Sequence, residues 1–422
     1  MAQKPRRKRA GRRQSSLASW ASLGKTAARQ LERAHRMVGR SLARTLTDAA
    51  NGTKAATKAA AKASATATRP VRSPGRKRSA SKGLAATALA ASSSQAEALR
   101  RAFSGVASPV PAPNARAGGR WIEGSWGSSP LTLRHYRLYL PQEPSRAAPA
   151  PLLVLLHGCA QDAGSFAVCT RAAAFARQRG CMVLLPEQSS RANPNRCWNW
   201  FRGEAIAAAE ASLLMAIVDH VGALYPVRGS EIYLLGLSAG GAMAQTMALR
   251  YPDRFAAVGS HSGAVPHVAS NATEAARVMR GAIGQPSAAQ MQALQLRLAG
   301  RTPPPLLLLH GDADRVVAFD NAAASVNLWL MLSARSALRA SAPRTIQRGT
   351  RRAITVLDWR HDGRPYVRLV RIDGMGHAWS GGPASQAYAD PAGPDALRLA
   401  FAFFDAAAPV AAEAGAGRRA VA

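Results

Sequence analysis

The chain has 422 residues, 47% of them hydrophobic, and its 56 Lys+Arg against 23 Asp+Glu give a net charge of +33. The apolar runs Leu152–Leu156 and Leu306–Leu309 are far too short to cross a membrane, so no transmembrane segment is expected. The four cysteines lack paired C-x-x-C spacing and no other ligand cluster stands out, so neither a metal nor a cofactor is expected.

The charge divides the chain. Residues 1–120 hold 26 Lys+Arg and 3 Asp+Glu, net +23, whereas the remainder is net +10. Stretches such as Lys54–Lys62 and Arg76–Ser79 are low-complexity and poor in large apolar residues, which reads as a largely disordered basic tail. Within it, Leu17, Trp20, Ala27, Leu31, Ala34, Val38 and Leu42 recur at helical spacing beside Arg29, Arg33, Arg36, Arg40 and Arg44. That pattern predicts a basic amphipathic helix near residues 17–46. From about 121 to 407 the composition is that of a globular domain long enough to bury a core. Residues 408–422 read as a disordered C-terminal tail.

In chain order, Leu131–Leu140 reads as antiparallel edge strands and Leu152–Leu156 as a buried strand. Ile232–Leu235 is a further strand, and Ala242–Leu249 a helix. Residues 264–300 form a polar, Ala/Gln-rich insertion, either a lid or surface helices. Pro305–His310 is a strand. His361–Pro365 reads as a hairpin turn, Tyr366–Ile372 as a strand and Asp390–Ala406 as a final helix. Alternating strands and helices predict an α/β protein with a mainly parallel central sheet and helices on both faces.

Between the strand at 232–235 and the helix at 242–249 lies Gly236-Leu237-Ser238-Ala239-Gly240. Strand, tight turn with serine at its tip, then helix is the context of a nucleophile elbow. The flanking glycines admit close backbone approach, and the helix N-terminus aims unpaired N–H groups toward developing negative charge. In an α/β-hydrolase the acid and the histidine follow the serine in that order. Asp312 and Asp314 both sit in the loop after the strand at 305–310, with Asp320 farther on. Of the histidines beyond Ser238, His377 in Gly374–Trp379 lies on a Gly-rich loop at a strand end, where an imidazole can reach over a serine. His361 reads as an exposed turn residue and His310 as structural. Upstream, the strand at 152–156 ends in His157-Gly158-Cys159-Ala160-Gln161. A loop N–H there, Cys159 or alternatively Ala160, would join the N–H of Ala239 as an oxyanion hole.

These residues resemble the polyhydroxybutyrate (PHB) depolymerase family of esterases, a group similar to feruloyl and acetylxylan esterases. The likeness rests on Leu156–Cys159, Pro186–Gln188, Cys197–Phe201, Gly236–Gly241, His310-Gly311 with Asp314 and Val317, and Gly376–Trp379, in family order over about residues 120–405. It implies an α/β-hydrolase fold, with Ser238 as nucleophile, Asp314 in preference to Asp312 as acid, and His377 as base. One departure is Ser380, where the family more often has proline. Trp198 and Asn199 are either core packing or a wall of the acyl pocket, and Trp379 is expected to touch substrate.

The expected chemistry is ester hydrolysis through an acyl-enzyme, on polyhydroxybutyrate or short hydroxyalkanoate oligomers. Feruloyl or acetylxylan esters are the alternative, and a non-catalytic granule- or nucleic-acid-binding protein is a third class. The basic tail suggests a partner, either a polyester granule surface or nucleic acid. No secretory signal pattern is visible, which points to a cytoplasmic, granule-associated protein, against the frequent secretion of related depolymerases. All four cysteines, Cys159, Cys169, Cys181 and Cys197, are close in sequence; under oxidation Cys159 and Cys197, both in loops at strand ends, are the expected pair.

Overall fold

The computed structural model describes residues 118–408, apart from 144, 336 and 337. The expected amphipathic helix near 17–46, the basic segment up to residue 117 and residues 409–422 lie outside the described residues. The described chain begins with β1 (Arg120–Trp126), β2 (Arg134–Leu140), β3 (Ala150–Leu156), α1 (Ala163–Cys169), α2 (Ala172–Arg179) and β4 (Met182–Pro186). It continues with α3 (Glu204–Leu224), β5 (Val227–Leu237), α4 (Ala239–Arg250), β6 (Ala257–His261), α5 (Ala272–Met279), α6 (Ala288–Leu298), β7 (Leu306–Gly311) and α7 (Asp320–Leu332). It closes with β8 (Arg339–Ala340), β9 (Arg344–Ile346), β10 (Ile354–His361), β11 (Arg364–Ile372), β12 (Trp379–Ser380), β13 (Ala389–Asp390) and α8 (Ala396–Ala407).

One sheet organises the domain, in the order β1-β2-β4-β3-β5-β6-β7-β11-β10-β8, with β9 also on β10. From β4 through β11 every neighbouring pair is parallel. β1–β2 and β8–β10 add antiparallel edges. The central strands are continuous apolar runs because helices cover both faces, so neither set of alternating side chains meets water. One core gathers Leu153, Leu155, Val183, Leu185, Tyr233, Leu235, Leu307 and Leu309 under Phe166, Phe175, Phe401 and Phe404. Tyr233 and Phe404 stack there with centroids 4.9 Å apart. This is the expected α/β-hydrolase fold.

One local expectation changes, and two further features add to the sequence reading. The final helix starts at Ala396, because Asp395 caps it through the Arg398 N–H after a Pro/Gly-rich turn that cannot continue a helix. The insertion at 264–300 consists of α5 and α6. It is clamped by the buried Asn321, whose side chain donates to the Val278 and Ala318 carbonyls at 2.9 and 3.1 Å and accepts from the Val265 N–H at 3.3 Å. Finally, α3 is long and apolar enough to cross a membrane by length and composition. Its buried residues, Ala207, Glu210, Ala211, Leu214, Met215, Ile217, Val218 and Val221, recur every three or four positions. The other side carries Ser212, bonded to the Tyr251 hydroxyl, and Asp219, paired with Arg254. A helix packed against a sheet on one side acquires this composition without any membrane.

Candidate active site

β5 delivers Ser238 to the tip of a turn, and α4 begins immediately behind it. Ser238 has φ 56° and ψ −120°, a conformation L-residues avoid, and its N–H is held by the His261 carbonyl at 2.9 Å. The turn closes only because its flanks lack side chains. A Cβ at Gly236 would overlap the Gly240 carbonyl, and one at Gly240 would overlap the Leu156 carbonyl.

Three residues far apart in sequence meet at this turn. The Ser238 hydroxyl lies 2.9 Å from Nε2 of His377, and Nδ1 of His377 lies 2.7 Å from Oδ2 of Asp314. The other Asp314 oxygen accepts the N–H groups of Val316 and Val317, each at 2.9 Å, which fixes the carboxylate plane. Burial alone would raise the Asp314 carboxyl, but hydrogen bonds and charge from His310 and His377 outweigh it and hold the group ionised well below the usual carboxylate range. His310 donates from Nε2 to the Val317 carbonyl at 2.8 Å and braces the same loop, as its expected structural role requires. Asp312 points elsewhere and accepts from the Gly374 N–H at 2.6 Å. Asp320 opens α7 on the surface, and His361 sits at the β10–β11 turn, at the opposite end of β11 from His377.

Above the serine, the loop after β3 is pinned at nearly every polar group. Gly158 N–H donates to Gln161 Oε1 at 2.8 Å, and Ala160 N–H donates to the Asn195 carbonyl at 2.8 Å. Among the described residues the N–H groups of Cys159 and Ala239 make no hydrogen bond. Ala160, the alternative oxyanion donor, is therefore engaged, whereas Cys159 and Ala239 are available. A disulfide joins Cys159 to Cys197. Cys169 and Cys181 are buried thiols, and burial pushes both up to about 12.

Of the two readings of Trp198 and Asn199, their burial fits core packing, and Trp379, expected to touch substrate, is buried as well. Trp198 is wholly enclosed and donates from Nε1 to the His157 carbonyl at 2.9 Å. Asn199 is held by the buried Glu210, through its N–H at 2.5 Å and its side-chain amide at 3.2 Å. Trp379 lies between Phe166 and the ring of His261, with 1% of its surface exposed. Trp198 and Asn199 turn their polar ends to interior partners, and Trp379 packs its ring between two others, so all three lie in the wall beneath the site.

Sequence reasoning missed two histidines that carry this support. His157 donates from Nδ1 to the Gly158 carbonyl at 2.7 Å and accepts the Gln188 N–H on Nε2 at 3.0 Å. Burial lowers its pKa to about 4, so it stays neutral and keeps that tautomer. The bond orients the Gly158–Cys159 peptide, whose N–H must then point to the opposite side. His261 accepts the Ser380 N–H on Nε2 at 3.2 Å, and burial lowers its pKa to about 3. A proline at 380 would have no N–H to give His261. The available signal was position: both follow apolar runs at strand C-terminal ends.

Comparison with known proteins agrees with this architecture. Residues 134–355 match the family model described as Esterase PHB depolymerase, a span that contains Ser238 and Asp314 and stops short of His377. The chain is 31% identical over 198 residues to poly(3-hydroxyalkanoate) depolymerase C of Paucimonas lemoignei, covering 46% of this chain and 47% of that protein. It is 32% identical over 142 residues to feruloyl esterase B of Neurospora crassa, covering 33% and 47% respectively. It thus spans about half the length of the curated relatives it matches. Among solved structures, an acetyl xylan esterase from Aspergillus awamori superposes with a TM-score of 0.52 at 17% identity, over 68% of this chain and 99% of that one, a likeness of fold.

Proposed function

We propose, on the premise that this chain belongs to the esterase PHB depolymerase family, that it is a serine esterase hydrolysing polyhydroxybutyrate or short hydroxyalkanoate oligomers. The observation that carries this reading is the continuous chain from Ser238 through His377 to Asp314, at 2.9 and 2.7 Å. A neutral serine is a weak nucleophile, so His377 takes its proton through Nε2 as Oγ attacks the ester carbonyl. Asp314 accepts the Nδ1–H, holds that tautomer and stabilises the imidazolium, without itself taking the proton. The carbonyl oxygen becomes an oxyanion and is held by the N–H groups of Cys159 and Ala239, at the N-terminal end of α4. His377 returns its proton to the departing alcohol, leaving an acyl-Ser238. Water then attacks the acyl carbon with His377 as base, and the free acid leaves.

The matching family model is that of the PHB depolymerases, and the depolymerase of Paucimonas lemoignei matches at 31% identity over 198 residues, which favours a hydroxyalkanoate substrate over a feruloyl ester. As to location, the cytoplasmic reading faces one opposing observation. The Cys159–Cys197 bond is of a kind that persists mainly in oxidising compartments. Purified protein should be assayed side by side on hydroxybutyrate oligomers, amorphous polyhydroxybutyrate and feruloyl esters. Ser238→Ala should remove turnover on all of them, by several powers of ten. An alanine variant keeping more than about a tenth of the rate overturns the mechanism; faster turnover of feruloyl esters than of the oligomers overturns the substrate.

A further inference from the structure

Charge in residues 121–422 is concentrated in one place. From residue 121 onward the chain holds thirty arginines, no lysine and twenty acidic residues. Ten of those arginines and only two of the acids, Asp358 and Asp362, fall within residues 335–371, which are therefore +8. Outside that segment twenty arginines face eighteen acids, which is close to neutral. The segment is the β8–β11 edge of the sheet, the end farthest from β1.

Arg352 pairs with Asp390 and Arg371 with Asp373 and Asp312, whereas three edge arginines share one carboxylate. Asp358, 1% exposed, takes Arg368 through two bonds of 2.6 and 2.9 Å, Arg360 at 2.9 Å and Arg344 at 3.7 Å. Arg339 lies directly opposite Arg360 in the ladder, and Arg344 opposite Val356. Arg339 is exposed, and the Arg344 side chain is 54% exposed. One aspartate offsets one of these four arginines, so most of the charge faces solvent uncompensated. Edge strands are often guarded by a charge or two against sheet extension. With the carboxylates that pair with it from outside the segment, Asp312, Asp373 and Asp390, the edge still carries 8 − 3 = +5, which exceeds that need.

We propose that this arginine-rich edge docks on the phosphate backbone of a nucleic-acid duplex, independently of sequence. Charge complementarity selects a polyanion, and guanidinium groups can give phosphate two parallel bonds. The chemistry of the edge selects among polyanions. The large exposed apolar residues of the described domain, Trp126, Leu131, Ile206, Leu224 and Leu296, all lie elsewhere. An anionic membrane would draw on apolar side chains for insertion. Single strands would draw on aromatic platforms for stacking. A protein partner would draw on aromatic anchors at its centre. A duplex backbone requires only an array of cations. Arg339, Arg360 and Arg364 sit where β11 begins, and the loop bearing His377 follows its end at Ile372. Eight steps of about 3.3 Å separate the two ends, roughly 26 Å, and Arg344, opposite Val356 and so level with Val370, extends the array toward the second end.

The test uses the full chain, two fluorescent duplexes of unrelated sequence and anionic phosphatidylglycerol vesicles. Arg339→Ala with Arg344→Ala should lower the slope of log affinity against log salt by about 1.8, since each lost phosphate contact removes about 0.9. Affinity for both duplexes should fall about tenfold or more near 0.1 M salt. Arg339→Lys with Arg344→Lys should retain the slope. Turnover of a soluble ester should be unchanged in both variants, which reports an intact fold. Arg277→Ala with Arg280→Ala, the same charge lost from exposed positions at the C-terminal end of α5, should leave the slope where it was. An unchanged slope in the Arg339/Arg344 alanine variant, or an equal fall in the α5 control, overturns the proposal. Loss of vesicle binding with duplex binding retained overturns it in favour of a membrane surface.

Discussion

Removing the Cys159–Cys197 bond separates what the covalent link contributes to stability from what it contributes to chemistry. The perturbation is Cys159→Ala with Cys197→Ala, which leaves no unpaired thiol beside the serine. The bond closes a loop with a sequence separation of 38. In the chain-entropy treatment its removal frees the unfolded chain by 2.1 + 1.5R ln 38, about 13 cal/mol/K, or about 4 kcal/mol at 25 °C. The described domain of roughly 290 residues has an unfolding entropy of about 0.6 kcal/mol/K. The melting temperature should therefore drop by about 6–7 °C. Catalysis should suffer less, because the oxyanion loop keeps three other ties. These are His157 Nδ1 to the Gly158 carbonyl at 2.7 Å, Gly158 N–H to Gln161 at 2.8 Å and Ala160 N–H to the Asn195 carbonyl at 2.8 Å. Losing an oxyanion donor outright costs about 10²–10³ in kcat, so a fall below about tenfold is expected, with KM little changed. Thermal unfolding followed by circular dichroism and steady-state turnover of a soluble ester at 25 °C measure the two effects separately. An unchanged melting temperature refutes the loop-entropy reasoning. A hundredfold loss of kcat refutes the claim that hydrogen bonds alone keep the Cys159 N–H in place.

Asp314→Asn should lower kcat by about 10⁴, since an amide cannot hold the His377 tautomer, whereas Asp312→Asn keeps an acceptor for the Gly374 N–H and should stay within about tenfold; reversed effects on soluble-ester turnover would make Asp312 the acid. Acid should destabilise the domain through His157 and His261, whose folded pKa values of about 4 and about 3 lie below the unfolded value near 6.5. The unfolded state binds the extra protons, so stability is complete above about pH 6.5 and falls below it, by up to about 2.7 kcal/mol per pH unit between pH 6 and 4 for the two groups together. Urea titrations across that range measure the slope, and His261→Gln should remove about half of it; a slope unaltered by that substitution rules His261 out. For the basic tail, Trp20→Ser with Leu31→Ser should weaken adsorption to polyester granules at high salt and leave DNA binding intact, because screening removes charge attraction but not apolar contact; loss of DNA binding alone would identify a nucleic-acid anchor instead.

Much of the site was legible in the sequence because its chemistry is tied to local backbone. Gly236 and Gly240 flank Ser238 since the turn leaves no room for a Cβ, and a strand before with a helix behind is readable from neighbouring residues alone. The order of strand ends likewise put Asp314 and His377 among few candidates. Other features depend on contacts between distant segments. Asp312 and Asp314 have equivalent local sequence, and only the packing of β7 beside β11 turns one carboxylate toward His377 and the other toward Gly374. Trp379 stands two residues from His377, yet the ring of His261, 118 positions upstream and one end of the bond to Ser380, draws it into the core. The hydropathy of α3 alone does not separate a membrane span from a core helix, whereas the three-or-four-residue recurrence of its buried positions is visible only in the fold. Local sequence determines which backbone conformations are affordable, while the assignment of polar partners waits on which strand ends the fold brings together.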